Sequence, residues 1–401
     1  MRRVVLVGVG LLIGLVMVTA AMSGAMAKSS SRATWTVMVY LDGDNNLDPY
    51  AHEDLAEMAA VGSTASVNVV VLFDEVDGPA QFLKVTAGGS QVVSGFPLNG
   101  VEADMGDGNT LAAFVDFAFA KFPANHVLLD LWDHGDDFRG FAWDDHPNAD
   151  NSPGSDCLTH TEISNALSGH HFDLLAFDGC VMSNLEVTYE YAARGISVDY
   201  MVASEIYIPG QGFAYDGILA PLVADPAMSA LDLGRAIVDS YMDFYSGGGF
   251  QVGLSLVKMS EVPGLVSSVF GLASALGVDM PAVRECVGTG RGEAHLGWSM
   301  TGWEAFVDFP TWLAPTEACL GSGSPLAPLF DAVSSRLASA LPYVRNAHGL
   351  EVKGAGGIGA FFPGSAGSFE NNVFWHGTYF LATQFAIQGW YAFLDSYWGG
   401  K

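Results

Sequence analysis

The sequence predicts an α/β fold, with a mostly parallel central sheet covered by helices on both faces and a mainly helical C-terminal region. Three observations predict it. Short apolar runs rich in β-branched residues recur through the first half of the chain. Helix-like segments separate them, as parallel strands require for their crossovers. The runs are continuously apolar, which is the pattern of strands buried on both faces.

In order, Trp35–Tyr40 reads as the first strand. Asp48–Ala60 reads as a helix with Pro49 in its first turn. Val67–Phe73 is the second buried strand. Gln81–Val85 and Gln91–Phe96 form an expected hairpin about Gly88 and Gly89. Thr110–Phe122 is a helix capped by Asn109 or Thr110 and stopped before Pro123. Val127–Trp132 is the third strand. Asp144–Asp156, rich in Asp, Asn, Pro and Gly, reads as an exposed loop. Thr159–Leu167 is a helix whose Thr159 and Glu162 make a capping box. Leu174–Phe177, the helix Ser183–Ala193 and the strand Tyr200–Ala203 complete the first half. Beyond it, helices are expected at Leu231–Tyr245, Ser260–Leu276 and Leu326–Ala340, with strand-like runs at Gln251–Val257 and Gly357–Phe362.

The domain layout expected is a leader over 1–27, a linker over 28–34, a core over 35–225 and a C-terminal subdomain over 226–401, with the boundary near Pro221–Met228. Arg2 and Arg3, the apolar run Val4–Ala21 and Ala25-Met26-Ala27 fit a cleaved export signal. The alternative is an uncleaved anchor, since the run is nearly long enough to span a bilayer. Either way the expected location is secreted or at the cell envelope, with membrane contact only through an uncleaved leader.

Half of the 401 residues are hydrophobic, which supports a sizeable core. The 16 Lys and Arg against 44 Asp and Glu leave a net charge of -28. Such a surface repels nucleic acid and anionic lipid. The four cysteines, Cys157, Cys180, Cys286 and Cys319, allow three pairings. Cys286 and Cys319 share the C-terminal part and are candidates to pair, because export permits disulfides.

In a parallel sheet the working residues collect beyond the carboxyl ends of the strands. Two such ends stand out: Trp132-Asp133-His134-Gly135 and Phe177-Asp178-Gly179-Cys180. Cys180 follows a strand and precedes a helix, so its sulfur is expected at the positive helix end. His134 can act as base toward a thiol and then as acid toward a leaving amine. Gly135 permits close backbone approach, so its N–H and that of Cys180 are candidate oxyanion donors.

The order His-Gly and then Asp-x-Cys at the end of the next strand resembles the caspase-like clan of cysteine peptidases, and more narrowly the clostripain family, peptidase family C11. The resemblance runs from about Trp35 to Pro363 and is firm in the first half. It is carried by Val39–Asp42 through Asp44–Leu47, Leu131–Gly135, Asp156–Thr159, Phe177–Met182, and Ala203-Ser204-Glu205 with Pro209, Gly212, Tyr215 and Leu219. It implies a caspase-like α/β/α sandwich and a cysteine endopeptidase with His134 and Cys180 as its catalytic dyad. It also implies Asp178 in the S1 pocket, facing an Arg or Lys of a peptide or protein substrate, with Glu205 as a second substrate-binding acid. A bidentate contact to Arg would supply the selectivity. The alternatives are an inactive caspase-like binding module and a peptidase with another S1 preference. A monomer is expected.

Two departures stand out. The Asp144–Asp156 loop holds no Arg or Lys at which self-cleavage could occur, and Gly179 replaces the family's frequent Ala. No cofactor is required by the dyad chemistry. Some relatives are stimulated by calcium, and Asp42 and Asp44 are the calcium candidates, although Leu47 stands where a calcium loop has its Gly. The acids of the later loop, Asp144, Asp145, Asp150 and Asp156, are a second candidate set. Zinc is not expected, because the histidines lack ligand spacing.

Overall fold

The computed structural model describes residues 32–148, 153–294, 296–299, 302–353, 355–370 and 383–399. The expected leader and Asp150 lie outside these residues. Strand β1 (Ala33–Gly43) is followed by helix α1 (Asp48–Val61), β2 (Val67–Glu75), β3 (Gly78–Thr86) and β4 (Gly89–Val92). Then come α2 (Gly108–Lys121), β5 (Ala124–Trp132), β6 (Phe141–Asp144), β7 (Asp156–Leu158), α3 (His160–Leu167), β8 (His171–Asp178), α4 (Leu185–Ala193) and β9 (Ser197–Ala203). The remainder holds α5 (Tyr215–Ala224), α6 (Ala230–Phe244), β10 (Val252–Lys258), α7 (Val262–Val278) and α8 (Met280–Glu293). It ends with β11 (Leu296–Ser299), β12 (Gly302–Asp308), α9 (Phe309–Leu320), α10 (Ala327–Ala340), β13 (Tyr343–Ala347), α11 (Leu350–Lys353), β14 (Gly359–Phe361), α12 (Ala366–Glu370) and α13 (Tyr391–Trp398).

The main sheet has the order β13-β10-β9-β8-β5-β1-β2-β3-β4. Its five central strands, β9 to β2, are mutually parallel. Antiparallel strands close both edges. Alternation within the apolar runs explains why both faces are covered. Val37, Val39 and Leu41 of β1 pack with α1, α5 and α6, whereas Met38 and Tyr40 point to the face of α2. Leu174 and Ala176 of β8 share the first face, and Leu175 and Phe177 share the second. No polar alternation is visible in such strands because neither face meets water.

Local signals set the helix starts. The Thr159–Glu162 capping box is present in full. For α2 the cap is Asp107, two residues before the expected Asn109, and its carboxylate accepts the Asn109 N–H. Pro49 sits in the first turn of α1.

The expected boundary near 221–228 is not a break in the fold. From Arg32 onward the described residues form one compact unit. Strands β10 and β13 extend the main sheet beyond β9. The helices between these strands cover the sheet's second face and bear a small β11-β12-β14 sheet. The polar 144–156 stretch is also more ordered at its ends than expected, because Asp144 and Asp156 pair in the β6–β7 hairpin.

Cys286 of α8 and Cys319 of α9 form the disulfide, with Cα atoms 5.3 Å apart. Its 33-residue separation restricts the unfolded chain. A Cys286→Ala/Cys319→Ala variant should therefore lose about 3–4 kcal/mol of unfolding free energy in a denaturant titration. A loss below about 1 kcal/mol would show that helix packing alone holds this pair.

Candidate active site

Parallel register brings the two marked strand tips together. Trp132 of β5 pairs with Asp178 of β8, and the Asp133 N–H donates to the Asp178 carbonyl at 3.3 Å. His134 and Cys180 therefore each lie two residues past the same rung of adjacent strands, which stand about 4.8 Å apart. Both line one cleft of about 210 Å³ together with Leu47, Trp132, Asp178, Ile208, Pro209 and Gly212.

Glycine makes the close approach possible. A Cβ on Gly135 would lie 2.2 Å from the Cys180 carbonyl oxygen and 3.1 Å from the Cys180 nitrogen. Neither the Gly135 nor the Cys180 N–H has a protein acceptor among the described residues. Gly179 is equally confined, since a Cβ there would meet the Asp133 carbonyl at 2.4 Å and the Phe141 ring at 2.5 Å. The lack of a side chain at Gly179 thus permits this close contact with the neighbouring loop. Strain marks both loops: Val181, directly after Cys180, has φ 53°, and Asp137 and Ala142, beyond His134, have φ 52° and 56°. Left-handed backbone is costly for a β-branched residue. The Val181 N–H donates to the Ile206 carbonyl and holds this sharp exit from β8.

The Cys180 thiol is differently placed from the sequence expectation. Helix α4 starts at Leu185 with Asn184 as its cap, so a four-residue turn separates the sulfur from the helix end. Burial pushes the thiol up to about 11, and nearby carboxylates add to the rise. The Ile208 N–H donates to Sγ at 3.4 Å, and the thiol faces the Ile208 carbonyl at 3.7 Å. Burial thus favours the neutral thiol.

His134 is held by Asn46, a residue the sequence analysis did not mark as a site candidate. Its Nε2–H donates to Asn46 Oδ1 at 3.0 Å, which leaves Nδ1 unprotonated in the neutral ring. Asn45 fixes the same turn by donating to Asp133 Oδ1 at 2.8 Å and to the Trp143 carbonyl at 2.9 Å. Asp133 also accepts the Trp143 N–H. Burial lowers the His134 pKa, with Asp145 pulling weakly the other way. Neutral imidazole is therefore retained below pH 6.5, and the acid limb of kcat/KM should fall below that value. Asn46→Ala should lower kcat about 10- to 100-fold with little change in KM, because it frees the ring without touching the cleft floor. A pH profile that moves while KM stays fixed is the check. An unchanged kcat would remove Asn46 from this role. Only a contact across 88 residues defines it, so no local signal pointed to it.

Asp178 is at the cleft floor. It is 3 % exposed, its Oδ2 accepts the Phe213 N–H at 2.8 Å, and its Oδ1 has no partner. Gly212, at φ 57°, arches over it, and a Cβ there would sit 2.6 Å from Oδ2. The Tyr215 hydroxyl lies between Asp178 Oδ2 (3.2 Å) and Asp130 Oδ2 (2.7 Å). One hydroxyl hydrogen cannot serve both, which favours the protonated form of the pair. Accordingly, burial and then Asp130 push Asp178 well above the carboxylate range, and burial raises Asp130 to about 7. Asp54 follows at about 10, raised by burial and by Asp178. No cation faces these three acids among the described residues.

Glu205 is not in this cleft. Its buried carboxyl receives the Gly357 N–H at 3.1 Å and lies against Asp308, whose own oxygens cap α9 and hold Gly356. It ties the end of β9 to the β12–β14 region. Burial and Asp308 push its pKa well up. The other free thiol, Cys157, lies on β7 and is pushed to about 12 mainly by burial.

The calcium candidates Asp42 and Asp44 are both buried, and the neighbouring Asn46 side chain bonds His134 rather than joining them. They instead face acids from other segments: Asp74 of β2, Glu102 and Asp144. All donors in this set are oxygens, and five of them lack hydrogen-bond partners: Asp42 Oδ2, Asp44 Oδ2, both oxygens of Asp74 and Glu102 Oε1. This donor chemistry fits a hard divalent cation.

Comparison with known proteins agrees with this architecture. Residues 39–293 match the clostripain family. Clostripain of Hathewaya histolytica is 32% identical over 216 residues, which cover 46% of this chain and 41% of that protein. The chain thus spans less than half the length of that relative. A secreted C11 cysteine protease from Bacteroides thetaiotaomicron, solved with an irreversible peptide inhibitor, superposes with a TM-score of 0.65 at 19% identity, covering 88% of this chain and 98% of that one. An inactive zymogen C11 protease from Parabacteroides distasonis gives 0.68 at 19% identity, covering 90% and 99%. At that identity the two structures speak for the fold. The sequence match, extending over more than half the residues, establishes that the chain belongs to the clostripain family.

Proposed function

We propose that the chain is an exported cysteine endopeptidase that cuts after Arg or Lys. His134 Nδ1 removes the thiol proton as Cys180 Sγ attacks the scissile carbonyl, and the imidazolium then protonates the leaving amine. The N–H groups of Gly135 and Cys180 receive the oxyanion. Water, activated by the same imidazole, hydrolyses the acyl-enzyme. The observation that carries this reading is the register of His134 and Cys180 over a cleft floored by a buried carboxyl that no cation faces among the described residues. An Arg or Lys side chain entering that floor supplies the cation Asp178 lacks. The leader pattern at the N-terminus supports export, and one structural relative is described as secreted.

The test is cleavage mapping of a peptide library with purified protein, alongside Cys180→Ala. Cleavage after Arg and Lys, absent from the variant, is expected. Faster cutting after Asp or Asn would reverse the role of Asp178. Equal cleavage by the variant would end the peptidase reading.

A further inference from the structure

The amino-terminal ends of β5, β8 and β9, at the opposite edge of the sheet from the cleft, gather two imidazoles and two carboxyls. His171 and Asp173 are two residues apart on β8, so they point to one face of the sheet. The parallel register sets His171 against Ser197, Phe172 against Val198 and Leu174 against Tyr200, which puts Asp199 of β9 on the rung of Asp173. His126 of β5 completes the group. Ligand atoms of His171, Asp173 and Asp199 all lie within 4.8 Å of one another, and no other three such residues do so among the described residues.

Like charges directly opposite on neighbouring strands are destabilising. Asp173 and Asp199 are such a pair, and no Lys or Arg forms an ion pair with either among the described residues. Imidazoles meet them instead. His126 Nδ1 lies 2.7 Å from Asp173 Oδ1, and the Val127 N–H donates to Asp173 Oδ2 at 2.8 Å. His171 Nδ1 lies 2.9 Å from the Ser197 hydroxyl, while its Nε2 is 3.7 Å from Asp199 Oδ2. That last gap is too long for a hydrogen bond. It is near the span of about 3.4 Å between two ligands of a tetrahedral ion with bonds of about 2.1 Å. The Asp173 side chain is 10% exposed and fixed by its two contacts, whereas those of His171 and Asp199 are half exposed and leave an ion a way in.

We propose that His171, Asp173 and Asp199 bind one zinc ion, with water in the fourth position, and that the ion clamps the start of β8 to the start of β9. The proposal does not rest on the peptidase reading. One imidazole nitrogen, two carboxylate oxygens and an open position make a zinc ligand set. Calcium is poorly served by it, because calcium takes roughly six to eight oxygens. The outer contacts are those a metal site needs. A hydrogen bond from Nδ1–H to Ser197 leaves Nε2 of His171 as the free nitrogen, and His126 holds the Asp173 carboxylate in place. The ion brings two positive charges to a rung where two acids adjoin, in a chain of net charge -28. Sequence spacing hides the set, because only strand register brings Asp199 to Asp173. Cys180 lies beyond the other end of β8, so the ion holds the sheet and takes no part in the chemistry of the cleft.

The test uses the full chain with Cys180→Ala, which takes the cleft's thiol out of competition for zinc. The protein is stripped by chelator and titrated with zinc chloride in excess magnesium, which occupies sites built of oxygen alone. Calorimetry should count one zinc per chain, and the unfolding temperature should rise as zinc is added. His171→Ala and Asp199→Asn should each weaken zinc by more than about 100-fold, because each removes a ligand. Both side chains are half exposed, so the metal-free unfolding temperature should change little. His126→Ala removes only a contact to a ligand and should weaken zinc about 10- to 100-fold. His170 is the control. It is next in the chain but pairs with Asp116 outside the set, so His170→Ala should bind zinc as the parent does. No zinc uptake and no thermal shift would overturn the site. So would equal binding by the parent and His171→Ala, or a loss in His170→Ala as large as that in His171→Ala, since either result means loose capture by surface histidines.

Discussion

Asp178→Asn is expected to lower kcat/KM on Arg-terminated amide substrates by about 100- to 1,000-fold, with a much smaller effect on substrates bearing a neutral residue at that position. The magnitude follows from the burial of the carboxyl. A guanidinium that enters the cleft floor is desolvated, and removing its partner leaves an uncompensated buried charge worth roughly 3–5 kcal/mol. The amide keeps the shape and the Phe213 N–H contact, so the fold should survive. The sign of the pH dependence can be worked out. Asp178 and Asp130 hold a proton in the free protein because burial raises both, with Asp130 near 7. A cationic side chain favours the ionised form, so binding expels that proton. KM for Arg substrates should therefore fall as pH rises toward 7, whereas KM for neutral substrates should stay flat. The check is a pair of KM–pH profiles with wild type and Asp178→Asn. Parallel profiles for the two substrate classes would remove Asp178 from the first substrate pocket.

The same buried chemistry explains what the sequence disclosed and what it hid. The β1, β5 and β8 runs were legible because both faces are covered, which forces every position to be apolar. Asp42, Asp130 and Asp178 interrupt those runs near their carboxyl ends, where a site belongs. His134 and Cys180 were legible for the same reason: each follows a strand whose end is unmistakable. Glu205 also follows a strand, but the chain turns at Ser204 and sends its side chain to Gly357 and Asp308. One-dimensional position cannot tell such a turn from a straight exit. Strand β10 read as belonging to a separate region because long helices flank it, and β13 was not read as a strand, yet β10 pairs antiparallel with both β9 and β13 and so extends the main sheet. Asn46 meets His134 across 88 residues of chain, so nothing local marks that contact. The disulfide was within reach because Cys286 and Cys319 lie near each other in the C-terminal part of the chain, on α8 and α9.

Gly135→Ala should reduce kcat by about 100- to 1,000-fold while costing only about 1–3 kcal/mol of stability. The added carbon cannot be accommodated by a side-chain rotation. It would meet the Cys180 carbonyl at 2.2 Å and Met182 Sδ at 3.0 Å, so the two strand tips must part. Parting them moves the Gly135 N–H away from a developing oxyanion and takes His134 from Cys180 in one displacement. Catalysis is sensitive to shifts of about 1 Å, whereas the sheet below is held by β5–β8 pairing that ends at Trp132 and Asp178. A loss in kcat far exceeding the loss in stability is therefore the signature. Gly271→Ala is the control, because a Cβ there meets nothing within 4 Å and a helical alanine costs nothing. The discriminating measurement is the labelling rate of Cys180 by a small thiol reagent against that by a thiol-reactive peptide. Gly135→Ala should slow the peptide far more than the small reagent, since only the peptide needs the carbonyl seated between the two loops. If both reagents slow equally, the variant has merely buried the sulfur. If kcat is unchanged, the Gly135 N–H has no part in the reaction and the oxyanion is met elsewhere.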